Sequence, residues 1–181
     1  MAGRGLAVDP AARAAEPGPM SDPKDVTARI ARDVIATIEA ELPKLAAIDE
    51  EGASEPRAPG KWSRKQVIGH LIDSAFNNQQ RFVRAQLGAS LTFPGYAQES
   101  WVATQAYQQR SWADLVGLWA AVNRHLAHVI AHIEPRALGT PCTIGEGAPV
   151  TLRFVAEDYV RHLHHHLAQV LPQAATSGVS G

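Results

Sequence analysis

The stretch Tyr159-Val-Arg-His-Leu-His-His-His-Leu-Ala-Gln169 reads as an amphipathic helix whose packing face carries imidazoles. On a helical wheel at about 100° per residue, Leu152, Val155, Tyr159, Leu163 and Val170 define an apolar arc. His166 falls inside that arc and His162, four residues earlier, at its edge, so the two share one face. His164 lands with Arg153, Glu157 and Arg161 on the polar side, and His165 also points away; the outward pair reads as solvated surface. A helix that aims imidazoles into a core needs other helices to bury them.

Three more helical patterns supply that core. The first has Asp22 as N-cap, Pro23 at the first position and Asp25 in the first turn. Val26, Ile30, Val34, Ile38, Leu42 and Leu45 form its stripe, which Pro43 should kink or interrupt. Glu50–Gly60, with Pro56 and Pro59, reads as a loop. The second long helix opens on a capping box, Ser63 with Gln66, and carries Val67, Ile68, Leu71, Ile72 and Phe76 on to about Leu87. A connection through Phe93-Pro-Gly-Tyr96 and a short helix from Gln98 to Tyr107 follow. The third opens at Ser111, with Asp114 in a second capping box, and buries Leu115, Trp119, Val122, Leu126, Val129, Ile130 and Ile133 before Glu134-Pro135 closes it. Gly139–Pro149 reads as a turn-rich loop holding Cys142, and the fourth helix runs from Thr151 to Leu171, stopped by Pro172. No strand or internal repeat stands out. Four long amphipathic helices predict an all-α chain, a four-helix bundle.

Bulk properties bound the rest. A chain of 181 residues with 45% apolar residues suits one domain with a real core. The net charge of −1 offers no basic field for nucleic acid or anionic lipid. A single cysteine excludes an internal disulfide framework and fits a cytoplasmic, reducing setting. No apolar run approaches the roughly 20 residues of a membrane span. Residues 1–21, rich in Ala, Gly and Pro, and residues 172–181 read as disordered tails around a bundle over 22–171. Met20, directly before Ser21-Asp22-Pro23, is the expected translation start.

The histidines admit two readings. His162 and His166 are core histidines satisfied by hydrogen bonds, to Asp73 or Tyr159 for instance, or they are metal ligands. A third candidate, His70 in Gly69-His-Leu-Ile-Asp-Ser74, sits on the second helix; three neutral imidazoles with a coordination position left open make a catalytic type of divalent-metal site. Asp73, one turn on, is a candidate to orient His70 from behind or to accept a proton. The run is not a zincin motif, because Leu163 stands where that chemistry needs a glutamate. His125, His128 and His132 form a competing triad on the third helix, but they flank its core stripe and read as solvated. Trp62, Tyr96 and Trp101 are candidates to line a cleft, and Cys142 lacks an obvious activating partner.

Taken in order, Lys61-Trp62-Ser63, His70-Leu-Ile-Asp73-Ser with Asn77, Asn78 and Arg81, Phe93-Pro-Gly-Tyr96, Trp101, Trp119 with Asn123, and Tyr159 to Gln169 resemble the DinB/YfiT-like superfamily over roughly Asp22 to Leu171. The resemblance implies a four-helix bundle and a metal, zinc or nickel, held by His70, His162 and His166. It implies an enzyme that activates a bound water or thiol, of hydrolase or thiol-dependent S-transferase type, acting on a small-molecule substrate with a low-molecular-weight thiol as possible partner. A homodimer is a further family expectation. A non-catalytic metal- or ligand-binding stress-response module is the alternative. A role on DNA is opposed by the scattered arginines.

Overall fold

A computed structural model describes residues 23–171. Four long helices dominate: α1 (Pro23–Ala46), α3 (Arg64–Ala85), α5 (Trp112–Ala131) and α6 (Leu152–Val170). A short α2 (Glu50–Ser54) lies between the first two, and α4 (Gln98–Thr104) between α3 and α5. The main packings are α1 on α5, α5 on α3, α3 on α6 and α6 on α1. Consecutive long helices α1 and α3 therefore sit across a diagonal of the bundle. This order sets α3 beside α6 and brings His70 to the histidines near the C-terminus.

Each long helix buries the stripe its sequence marks out. Val34 and Ile38 of α1, Val67, Ile68 and Phe82 of α3, Leu115, Trp119 and Leu126 of α5, and Leu152 and Leu163 of α6 are fully enclosed. The caps are local. Ser63 Oγ accepts from Gln66 N at 3.3 Å and Gln66 Oε1 accepts from Ser63 N at 3.0 Å, the reciprocal pair of a capping box. Ser111 Oγ accepts from Asp114 N at 3.1 Å without a return bond from Asp114, so this start is an ordinary N-cap. Thr151 Oγ1 accepts from Phe154 N at 3.1 Å. Asp22, the expected cap of α1, and the two expected tails lie outside the described residues. Pro43 does not interrupt α1: it stands in the last turn, where little helix remains to be broken.

Three expectations need correction. The segment read as a loop after α1 contains α2, capped by Asp49 Oδ1, which accepts from Gly52 N at 2.8 Å. Strands are present. β1 (Leu91–Phe93) pairs in parallel with β2 (Pro141–Ile144), and β2 pairs antiparallel with β3 (Val150–Thr151). Leu91 lies opposite Cys142 and Phe93 opposite Ile144. The stretch read as a turn-rich loop is thus a hairpin around Gly145, whose φ of +59° suits glycine. Cys142 is buried in β2, and burial pushes its thiol pKa up. The expected helix from Gln98 to Tyr107 stops at Thr104. Ala106, in a left-handed conformation at φ +51°, turns the chain into a 3₁₀ turn over Tyr107–Gln109.

Inside the bundle, the buried Tyr159 of α6 donates its hydroxyl to Asn123 Oδ1 of α5, and Asn123 Nδ2 donates to the Trp119 carbonyl at 2.8 Å. This satisfied pair ties helices on opposite corners. It also removes Tyr159 as a partner for the histidines.

Candidate metal centre

His70 projects from the buried face of α3, His162 and His166 from the facing side of α6. One nitrogen from each lies within 4.8 Å of the others. His70 Nε2 and His162 Nε2 are 3.1 Å apart, close to the edge of about 3.3 Å expected for two imidazoles on a tetrahedral zinc. The ring centroids of His70 lie 5.1 Å from His162 and 4.7 Å from His166, and those two are 4.5 Å apart. His70 is 2% exposed. Nδ1 of His70 and Nδ1 of His166 are buried with no hydrogen-bond partner. Buried polar atoms of this kind are costly without a partner.

The electrostatics favour neutral ligands. Burial, then the neighbouring His166, pushes the His70 pKa down to about 4. Burial, then His166, His70, His165 and Arg81, pushes His162 down to about 3. Burial and then His165 lower His166 as well. All three present unprotonated nitrogens at neutral pH, as a divalent cation requires. His162 Nδ1 lies 3.4 Å from Ser74 Oγ. With Nδ1–H donating to that hydroxyl, Nε2 is left free to ligate.

Asp73 is 1% exposed and not a surface carboxylate. It does not orient His70. Its Oδ1 accepts from Tyr107 OH at 2.7 Å and from Gln105 Nε2 at 2.5 Å, while Oδ2 is buried without a partner. Burial raises the Asp73 pKa, against the two hydrogen bonds that lower it. Tyr107 and Gln105, which sequence reasoning missed, come from the segment after α4; the only hint of them is Gly69, whose missing side chain makes room for the Tyr107 ring. His164 is exposed but engaged: Thr37 Oγ1 spends its proton on the Asp33 carbonyl at 2.7 Å, so His164 Nε2 donates to Thr37 across 2.8 Å. His165 Nε2 lies 3.0 Å from Gln169 Nε2, whose amide donates to it. His125, His128 and His132 are exposed and, among the described residues, do not join a metal-like cluster.

An aromatic wall surrounds His70. Trp62 lies 5.5 Å away by ring centroid and Tyr96 6.4 Å away, and Tyr96 packs on Trp101 at 4.8 Å. Trp101 is 41% exposed, so this wall borders solvent. Burial and then Asp73 push the Tyr96 pKa up to about 12, so the phenol stays a neutral donor.

The family model described as the DinB superfamily matches residues 35–170. A Bacillus mycoides protein named "putative metal-dependent hydrolase" is 24% identical over 123 residues, covering 68% of this chain and 70% of its own length. An Oceanobacillus iheyensis protein of the same description is 23% identical over 168 residues, covering 91% and 95%. The solved structure of YfiT from Bacillus subtilis superposes with a TM-score of 0.69 at 20% identity, covering 86% of this chain and 89% of that one. Its report describes "a probable metal-dependent hydrolase with an unusual four-helix bundle topology". The shared fold agrees with the diagonal placement of consecutive long helices here.

Proposed function

We propose that this chain, which belongs to the DinB superfamily, is a metal-dependent enzyme whose divalent ion is held by His70, His162 and His166. The observation that carries this reading is the convergence of three neutral imidazole nitrogens from two helices within 4.8 Å. An ion held there lowers the pKa of a bound water or thiol and so supplies an anionic nucleophile near neutral pH. Zinc and nickel both suit an all-imidazole donor set.

Hydrolysis is the leading reaction class, in keeping with how the relatives from Bacillus mycoides and Oceanobacillus iheyensis are named. Attack by a low-molecular-weight thiol on a small electrophile is the second reading, because the same site suits either anion. The chain's own residues bind and orient. Ser74 fixes the His162 ring, Trp62 and Tyr96 wall off the His70 side from water, and the neutral Tyr96 hydroxyl is available to donate to a substrate oxygen. Asp73 is engaged by Tyr107 and Gln105 rather than by the histidines, which supports a centre with an open position over a closed structural one.

Elemental analysis of protein purified without a histidine tag tests this. One equivalent of zinc or nickel is expected, lost in His70→Ala, His162→Ala and His166→Ala and kept in His164→Ala. Equal loss in all four variants, or no metal uptake by the unaltered protein, overturns the assignment. Screening the loaded protein on ester and amide substrates, and on thiol–electrophile pairs, separates the two reactions.

A further inference from the structure

Arg81 lies on the same face of α3 as His70, three turns on. Its Nε is buried without a hydrogen-bond partner. Among the described residues no carboxylate oxygen lies within ion-pair distance of its guanidinium. Among the described residues its one hydrogen bond is a long one, from Nη1 to Asn78 Oδ1 at 3.3 Å. Its guanidinium carbon sits 5.2 Å from the centre of the Phe93 ring of β1. Burial lowers its pKa, and the groups that act against this are Tyr96, Asp158 and Cys142. Of these only Asp158 is charged at neutral pH, and it is exposed and bonded to Arg161 at 3.0 Å. A half-buried guanidinium whose Nε is enclosed and unpaired, with no carboxylate within ion-pair distance, is costly to hold empty.

A polar file connects this cation to the histidines. Side chains on a helix lean toward its N-terminus, so Arg81 leans back toward Asn78. Asn78 Nδ2 donates to Ser74 Oγ at 3.3 Å, and Ser74 Oγ faces His162 Nδ1 at 3.4 Å. Tyr96 reaches both ends: its ring neighbours His70, and Arg81 acts on its hydroxyl. Phe93 lies against the Arg81 end, and Tyr96, packed on Trp101, against the His70 end.

From this juxtaposition we propose that Arg81 is a recognition site for the carboxylate of an organic acid substrate whose reacting group lies at the three histidines. The inference rests on the metal-enzyme reading for what happens to the substrate, but not for the binding itself. One guanidinium matches a single negative charge rather than a phosphate dianion, and no lysine or other arginine figures among the groups that act on it. The planar fork of arginine fits a carboxylate through two parallel bonds. The aromatic rings at the two ends suit a substrate with an apolar body.

The test uses metal-free protein and needs no turnover. Benzoate and its neutral isostere benzamide are titrated against the fluorescence of Trp62 and Trp101. Benzoate binds at least tenfold more tightly than benzamide, inorganic phosphate does not displace it, and Arg81→Gln abolishes the preference. Arg81→Lys, which keeps the charge without the fork, retains part of it and serves if the glutamine variant does not fold. Histidine side-chain resonances of His162 shift on benzoate addition. Equal affinity for the two probes, no benzoate binding, displacement by phosphate, or an unchanged preference in Arg81→Gln each overturns the proposal. Because metal content is measured separately, a chain that binds benzoate but takes up no zinc or nickel loses the metal centre and keeps the carboxylate site.

Discussion

His70 and Asp73 are buried titratable groups one helical turn apart on α3, yet they belong to different networks. Asp73 serves the segment after α4 through Tyr107 and Gln105. Asp73→Ala strands both donors and is expected to destabilise the fold by about 1–3 kcal/mol, whereas Asp73→Asn, which still offers an acceptor, costs under about 1 kcal/mol. Urea unfolding measures both, and metal content stays at one equivalent in each. Loss of metal in Asp73→Asn would instead make Asp73 a ligand and close the site. The histidines carry a pH signature in the metal-free protein. Their folded pKa values, about 4 for His70 and about 3 for His162, lie below the value near 6.5 of an unfolded imidazole. The folded state therefore refuses protons that the unfolded chain accepts. Their contribution is complete above pH 6.5 and is lost as pH falls from there toward 4. The urea midpoint of metal-free protein should drop between pH 7.5 and 5, and drop less in His162→Gln. A midpoint that is flat over this range, or that falls equally in the variant, would mean the rings take up protons in the folded state.

At the scale of elements, α3 is shaped by what packs on it. A Cβ built on Gly69 would meet the Tyr107 ring at 2.2–2.7 Å, while one built on Gly117 of α5 meets nothing within 4 Å. Gly69→Ala must push Tyr107 off α3 and away from Asp73, and is expected to cost about 1–3 kcal/mol. Gly117→Ala fills no space and removes backbone freedom from the unfolded chain, a gain of about 0.5–1 kcal/mol. Thermal unfolding should rank them in that order, and a neutral Gly69→Ala would mean the Tyr107 ring is not held where the structure has it. The contrast shows what a sequence reveals. The long helices are legible because a 3.6-residue stripe repeats many times and Ser63, Ser111 and Thr151 punctuate it. The wheel that separates His162 and His166 from His164 and His165 works for the same reason. Strands β1 and β2 span three and four residues, too few for alternation to register beside prolines and glycines that read as turns. The surroundings of Asp73 depend on a left-handed Ala106 that no periodicity announces, and the isolation of Arg81 becomes visible only when α3, β1 and β2 are seen together.

At the scale of the molecule, the question is whether the fold needs the metal. The ligands join α3 to α6, but those helices have other ties. Arg64 of α3 donates to the Val170 carbonyl at 3.1 Å. α6 is held to α1 by Arg29–Glu157 at 3.3 Å and Thr37–His164 at 2.8 Å, and to α5 by Tyr159 and Asn123. The apolar core runs through all four long helices without passing through the histidines. A bundle so connected should stay folded without its ion, unlike a zinc finger, whose fold energy is its metal energy. Binding to the folded state alone adds about 4 kcal/mol at a free ion concentration a thousandfold above Kd, or roughly 10 °C in Tm for a chain of this size. Chelation is therefore expected to lower Tm by about that amount while helical circular dichroism at 25 °C and the cooperativity of melting persist, and His70→Ala should melt like the chelated protein whether or not metal is added. Collapse of the helical signal on chelation would make the ion a structural one. An unchanged Tm in the unaltered protein, with His70→Ala indistinguishable from it, would mean that the three imidazoles hold no ion.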